Sequence, residues 1–339
     1  MSIIKEQNFQ ISYETTGNGY QNPLSPNMDT ADPCIVYSEK DQYYYATYTG
    51  NKTLKLHRAK SLKDLFVNDE SKIIYEANAA DETYGYLWAP ELHFIDGKWY
   101  LYTSTHQTET DKGFKHVIVL KAKTDDLWDG FELGGHINPN LLAIDPTIYQ
   151  DKKNQKLYIC FSVSYGPQKL AIQEMKSPTE PMGDYTIISE AIHPWELKEP
   201  YVGKSSINEG AYFVENDGRL FIVYSGNGCW SDDYVFGILE CVGEDILSAD
   251  SWVKDETPLM TKGNGNYGPG HATFFASPDK TELWMCYHCL HESDPEVVCM
   301  PRHCHCQKVF FDKTGFPHVN LPLPKGAIYR LPSGDSFLK

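Results

Sequence analysis

Three acids in this chain stand in short polar signatures that run straight into apolar segments. They are Asp32 in "ADPCIVY", Asp145 in "AIDPTIY" and Glu209 in "NEGAYF". Glu91 in "WAPELHF" and His271 in "GHATFF" hold the corresponding places of two similar segments. Carboxylates gathered in one concave site have few uses: they bind a metal, or they divide into an acid and a base. Glycoside hydrolysis needs a protonated carboxyl for the leaving oxygen and a carboxylate opposite it, as base for water or as nucleophile. Crowded like charges raise at least one pKa, which keeps one carboxyl protonated near neutral pH, and a third carboxylate serves that tuning. Taken singly, each signature reads as turn chemistry, because Asp-Pro and Asn-Glu-Gly are turn formers. Their recurrence at one place in each of five units reverses that reading.

The units themselves are visible downstream. Five runs resemble one another: "DQYYYATYTG" from Asp41, "GKWYLYTSTH" from Gly97, "QKLYICFS" from Gln155, "GRLFIVYSG" from Gly218 and "TELWMCYH" from Thr281. Each is a turn followed by an aromatic or β-branched strand, and they recur every 56 to 63 residues. Regular spacing of all-β units predicts a five-bladed β-propeller, one four-stranded blade per unit. Blades are expected over about 22–80, 81–135, 136–200, 201–262 and 263–320, with the terminal segments closing the ring. The chain reads as a single domain. In a blade the innermost strand lines the central channel. If the repeated runs are second strands, the signatures begin the innermost ones, and Asp32, Glu91, Asp145, Glu209 and His271 converge on the channel.

Bulk composition narrows the partners. The 339 residues carry a formal net charge of −16, which argues against nucleic acid or an anionic membrane surface and suits a neutral substrate. No run of about 18 apolar residues suggests a membrane span. The first residues lack a basic stretch followed by an apolar core, so no secretory signal is read. Nine cysteines, several inside apolar strand-like runs, read as reduced buried thiols, and a cytoplasmic location is expected.

The order "ADP", "WAPE", "AIDP", "NEG" and "GPGH" resembles glycoside hydrolase family 43. The long runs "YSGNGCWSDDYVFG" from Tyr224 and "GPGHATFFASPDKTELWMCYH" from Gly268 extend the resemblance. It implies a five-bladed propeller in which Asp32 is the general base, Asp145 raises the pKa of the acid and orients it, and Glu209 is the general acid. The family inverts, so roughly 6.5–9.5 Å is expected between Asp32 and Glu209. The resemblance also implies that Trp88 lines the sugar subsite, although blade packing is the ordinary role of a Trp. Arg302 would contact the sugar or steady the acid, and His271 would meet a hydrated cation, often calcium, in the channel. No cofactor is required for the chemistry itself. The activity implied is exo-acting α-L-arabinofuranosidase on arabino-oligosaccharides or arabinoxylan-derived oligosaccharides, with β-xylosidase or endo-arabinanase as alternatives.

Two readings of other classes remain. One is a non-catalytic sugar-binding propeller. The other is a zinc-dependent hydrolase built on "CYHCLH" from Cys286 and "CMPRHCHC" from Cys299, which supply five Cys and four His. Cys286-x-x-Cys289 and Cys304-x-Cys306 resemble zinc-ligand pairs. Strand alternation, however, sends Cys286 and Cys289 to opposite faces, which favours buried thiols.

Overall fold

A computed structural model of the chain describes residues 2–110, 113, 115–164, 167–198, 206–292 and 301–338. The repeated aromatic runs all become second strands. Blade one is built from Cys34–Ser38, Tyr43–Thr47, Thr53–Ala59 and Glu70–Glu76, and blade two from Trp88–Ile95, Lys98–His106, Lys115–Ala122 and Phe131–Ile137. Blade three comprises Ala143–Asp151, Lys156–Ser164, Gln168–Ser177 and Glu180–Ser189. Blade four follows with Asn208–Asn216, Arg219–Gly226, Val235–Cys241 and Trp252–Lys254, and blade five with Tyr267–Ala276, Leu283–Leu290, His303–Phe311 and Pro317–His318. Every blade is an antiparallel meander in chain order. Blade two's outer strand runs past the boundary expected at 135. The first strand of each blade touches the first strand of the next, and that of blade five touches that of blade one, so the inner strands close a ring.

Five apolar cores lie between consecutive blades. The one joining blade five to blade one packs Ile35, Tyr44 and Ala59 against Phe275, Trp284 and Cys286, and the other four junctions are filled in the same way. A blade cannot bury both of its faces alone, so stacking in a ring is what removes its Tyr, Phe and Leu side chains from water. Closure does not use a terminal strand inside a blade. Instead the segment after the short pair Thr15–Gln21 and Ile328–Tyr329 runs beside the third strand of blade five. There Leu24 N–H donates to Cys304 O, Thr30 N–H to Arg302 O, and the Asn22 amide bonds both backbone groups of Cys306.

One backbone feature repeats around the ring. Asp32, Ala89, Asp145, Gly210 and His271, one per blade, all adopt left-handed φ angles between 47° and 58°. They fall between two residues before the inner strand, at Asp32, and its fifth residue, at His271, and register shifts mark the position in blades two to five. For a residue other than glycine this conformation costs on the order of 1–3 kcal/mol, and Asp is among the residues that tolerate it. The kink bends each strand where it reaches the mouth of the channel. It also alters the expected equivalence. Glu209 stands one residue before the kink of its blade and Glu91 two residues after, so they are not counterparts of Asp32, Asp145 and His271.

Candidate active site

A cavity of about 610 Å³ opens where the kinked strands meet, and Asp32, Trp88, Asp145, Glu209, His271 and Arg302 all line it. The six residues come from every blade of the ring. Glu91 does not line the cavity. It is 2% exposed and pairs with His93, Nε2 to Oε2, at 2.8 Å.

Asp32 is held from several sides. Thr49 donates to its Oδ2, and Oδ1 lies 3.2 Å from Arg302 Nη1, 3.4 Å from His271 Nδ1 and 3.5 Å from His288 Nδ1. Burial opposes ionisation here. Arg302, then His271 and His288, and the Thr49 hydroxyl together outweigh it and hold the carboxyl well below the usual carboxylate range. Arg302 thus faces the expected base and not the expected acid. Its own backbone N–H donates to Asp29 Oδ1, which fixes the entry to the strand.

The other two acids are pushed the opposite way. Burial raises Asp145 to about 8, and Glu209 and Asp32 add to it against the pull of His271. Burial also raises Glu209, against Tyr234, His271 and Gln168. Two buried neighbouring carboxyls with raised pKa values retain a proton between them near neutral pH. His271 is raised as well: its burial favours the neutral ring, but Asp32, Asp145, Glu91 and Glu209 surround it and prevail. The surroundings thus favour a carboxylate at Asp32, a retained proton on the Asp145–Glu209 side, and the protonated form of the His271 imidazole between them.

The motif "NEG" is explained residue by residue. Asn208 is fully buried and bonds Glu196 Oε1, Ser189 Oγ and Lys254 Nζ, so it ties the strand to a buried Lys254–Glu196 ion pair of 2.6 Å. Glu209 accepts at both oxygens, from Tyr234 Oη at 2.8 Å and Gln168 Nε2 at 2.6 Å. Gly210 donates its N–H to Asp145 Oδ2 at 3.2 Å. A Cβ on Gly210 would stand 3.0 Å from His271 Nδ1 at a φ of +57°, so both the approach and the backbone call for glycine.

Trp88 belongs to none of the five cores, unlike Trp252 and Trp284. It faces the cavity, with Lys115 Nζ 4.0 Å from its ring centroid and Tyr86 set edge-on at 5.9 Å. Trp230 and Gln168 also line the cavity, and sequence reasoning did not single them out. Trp230 lies in the polar turn "NGCWSDD", which carries no period, and a lone Gln at a strand start has no signature. Only the length of the "YSGNGCWSDDYVFG" run pointed at that loop.

Two metal readings can be tested on donor chemistry. Calcium seeks six to eight oxygens. Beside His271 both Asp32 oxygens and Asp145 Oδ2 are already bonded within the protein, and an imidazole nitrogen is a poor ligand for a cation that prefers oxygen. These residues do not fit a calcium site. Among the described residues, the one group of three His, Cys, Asp or Glu ligand atoms lying mutually within 4.8 Å is Cys286, Cys304 and Cys306. Cys289 points into the core between blades four and five, whereas Cys286 points into that between blades five and one. The suggested Cys286–Cys289 ligand pair is thereby split, and the remaining three thiols lie wholly inside apolar packing, with no fourth ligand among the described residues of the kind tetrahedral zinc requires. Cys299 lies outside the described residues.

The sequence profile described as glycosyl hydrolases family 43 matches residues 20–317. The chain belongs to that family. Among relatives of family 43 members like this one, an extracellular exo-α-(1→5)-L-arabinofuranosidase of Streptomyces avermitilis is 27% identical, over 91% of this chain and 64% of the relative. A protein of the same name from Streptomyces chartreusis is 28% identical, over 79% of this chain and 82% of the relative. Among solved structures, an α-L-arabinofuranosidase of Lactobacillus brevis superposes with a TM-score of 0.80 at 27% identity, covering 91% of this chain and 98% of that one. The chain therefore spans less than two thirds of the Streptomyces avermitilis relative's length.

Both Streptomyces relatives are named extracellular, and this overturns the expectation of a cytoplasmic protein. That expectation leaned on the absence of a readable secretory signal and on buried thiols read as reduced. Cys34, Cys160, Cys286, Cys289, Cys304 and Cys306 are at most 1% exposed; they serve as small core side chains, which carries no information on redox compartment.

Proposed function

We propose that the chain is an exo-acting glycosidase that releases terminal α-L-arabinofuranosyl residues from arabino-oligosaccharides or arabinoxylan-derived oligosaccharides. The observation that carries the reading is that three carboxyls in unlike surroundings line one cavity: Arg302, His271, His288 and Thr49 favour the carboxylate at Asp32, whereas burial pushes Asp145 and Glu209 towards their protonated forms. An acid and a base with pKa values driven apart by their surroundings is the division of labour that glycoside hydrolysis requires. The names of the similar proteins direct the reading to arabinofuranosides.

In the mechanism, the terminal sugar enters the cavity with Trp88 and Trp230 offering apolar faces to its C–H groups. Asp32 takes a proton from water as that water attacks the anomeric carbon. Glu209 gives its proton to the glycosidic oxygen as the bond to carbon breaks, so the configuration inverts. Arg302 keeps Asp32 unprotonated and oriented. Asp145 keeps Glu209 protonated until transfer, and His271 balances the negative charge that passes to the acid side. No metal enters the reaction.

The test is hydrolysis of arabinan-derived oligosaccharides followed by NMR of the anomeric proton, alongside Glu209→Ala. Early release of inverted arabinose, lost in the variant, is expected. Net retention would overturn the single-displacement scheme. No turnover of arabino- or xylo-oligosaccharides would leave a sugar-binding propeller as the reading.

A further inference from the structure

The motif "GPGH" and the run "YSGNGCWSDDYVFG" contain more than the cavity accounts for, and the surplus converges on one side chain. Tyr234 is 1% exposed and does not line the cavity. Its hydroxyl meets Glu209 Oε1 at 2.8 Å, from behind the cavity wall. Gln168, which does line the cavity, holds the other oxygen, Oε2, at 2.6 Å. The two oxygens of the acid are therefore inequivalent, one turned to the protein interior and one to the substrate space.

Much around Tyr234 serves to keep its ring where it is. A Cβ on Gly270 would stand 1.8 Å from Tyr234 Cε1, so the ring lies directly on the glycine backbone. A Cβ on Gly268 would strike Ser231 O at 2.7 Å, and Gly268 N–H donates to Asp232 O. Both glycines of "GPG" thus admit the turn that delivers Tyr234. His288 stacks on the same ring at 5.7 Å and 12°. Its Nδ1 accepts the Asp32 backbone N–H at 3.2 Å, so one stack joins the backbone of the base to the carboxyl of the acid.

We propose that Tyr234 is a positioning residue for the acid: by donating to Oε1 from the interior while Gln168 donates to Oε2 from the cavity side, it fixes the plane of the Glu209 carboxyl so that Oε2 is presented to the leaving group. Without the Tyr234 hydroxyl the carboxyl is held by one donor and can rotate about its last side-chain bond, which takes its proton out of line with the glycosidic oxygen. Gly270 is glycine because any side chain would displace the ring. The inference rests on the arabinofuranosidase reading, since it concerns the acid of that reaction.

The experiment uses Tyr234→Phe in the full chain, which keeps the ring on Gly270 and His288 and removes only the hydroxyl. Wild type and variant are compared on 2,4-dinitrophenyl α-L-arabinofuranoside, whose leaving group needs little protonation, and on arabino-oligosaccharides, whose leaving group needs it fully. General acid assistance is worth about 10²–10⁴-fold, and mis-placing its proton should forfeit about 10–100-fold of it. The expected result is a loss of that size in kcat on oligosaccharides, less than about threefold on the dinitrophenyl glycoside, and an unchanged circular dichroism spectrum. Equal losses on both substrates, or no loss on either, would overturn the positioning role while leaving the enzyme reading intact. A wild type inactive on both would instead overturn the arabinofuranosidase reading and this inference with it.

Discussion

His271 sets its Nδ1 3.4 Å from Asp32 Oδ1, and the same nitrogen lies 3.9 Å from Asp145 Oδ2. One imidazole thus faces the proposed base and the proposed modulator of the acid together, and we propose that it acts as their counter-charge. His271→Gln keeps the polar shape and removes the charge. We expect kcat/KM to fall about 10²-fold, the scale seen when one preorganised electrostatic partner is lost. Added calcium should not restore it, and chelator should leave the wild type unchanged; steady-state kinetics with and without each reads both.

The raised carboxyl of Asp145 makes stability depend on pH with a definite sign. Its folded pKa of about 8 lies above the ordinary 3.8, so between these values the folded state holds a proton that the unfolded chain has released. The contribution is complete below about pH 4 and is lost as pH rises towards 8. His271, raised above 6.5, adds a loss of the same sign only above that value. Asp32, depressed, acts oppositely, and its contribution disappears as pH falls below about 4. Urea denaturation between pH 4 and 6.5 should show wild-type stability declining, by up to about 1.4 kcal/mol per pH unit, and Asp145→Asn should flatten that decline.

Gly210→Ala places a Cβ against His271 at a left-handed backbone position. About 1–2 kcal/mol of destabilisation is expected from the backbone alone, seen as a lower midpoint in thermal unfolding. Activity should fall further than stability, because the atoms displaced are those of His271 and the Gly210 N–H on Asp145.

The Lys254–Glu196 pair anchors Asn208 from inside the junction of blades three and four, with the lysine 8% and the glutamate 0% exposed. Lys254→Ala leaves a buried carboxylate without its cation and should destabilise by about 3–5 kcal/mol. The double variant Lys254→Met with Glu196→Leu should be milder than Lys254→Ala alone. Denaturant midpoints of the three proteins decide it.

The buried thiols Cys286, Cys304 and Cys306 predict a protein purified without stoichiometric zinc: burial pushes the Cys286 and Cys306 thiols up, and although burial opposes it, hydrogen bonds from those two draw Cys304 down to about 6, in a site closed to solvent. Elemental analysis and thiol titration before and after unfolding check this. One zinc per chain, with activity lost to chelator, would reinstate the metal-dependent reading.

Much of this was legible without coordinates. Aromatic and β-branched runs at a steady spacing declare blades, because only stacking hides both faces of such strands. The polar signatures ahead of them declare where the ring converges, which is how Asp32, Asp145 and Glu209 stand out of 46 acidic residues. Strand alternation likewise separates Cys286 from Cys289 on paper as it does in space. These are properties of short stretches of chain, and a single sequence carries them.

Other relationships had no local trace. Tyr234 reaches Glu209 from 25 residues away across a glycine of another blade, and Gln168 reaches it from 41 away. Arg302 turns to Asp32, 270 residues distant, rather than to the acid. Whether His271 meets a cation or acts as one depends on the carboxylates gathered around it. Such facts come from closure of the ring. It brings residues from every blade into one buried volume, where low polarity magnifies each charge and the spacing between elements, set by packing of the five cores, decides which partners meet.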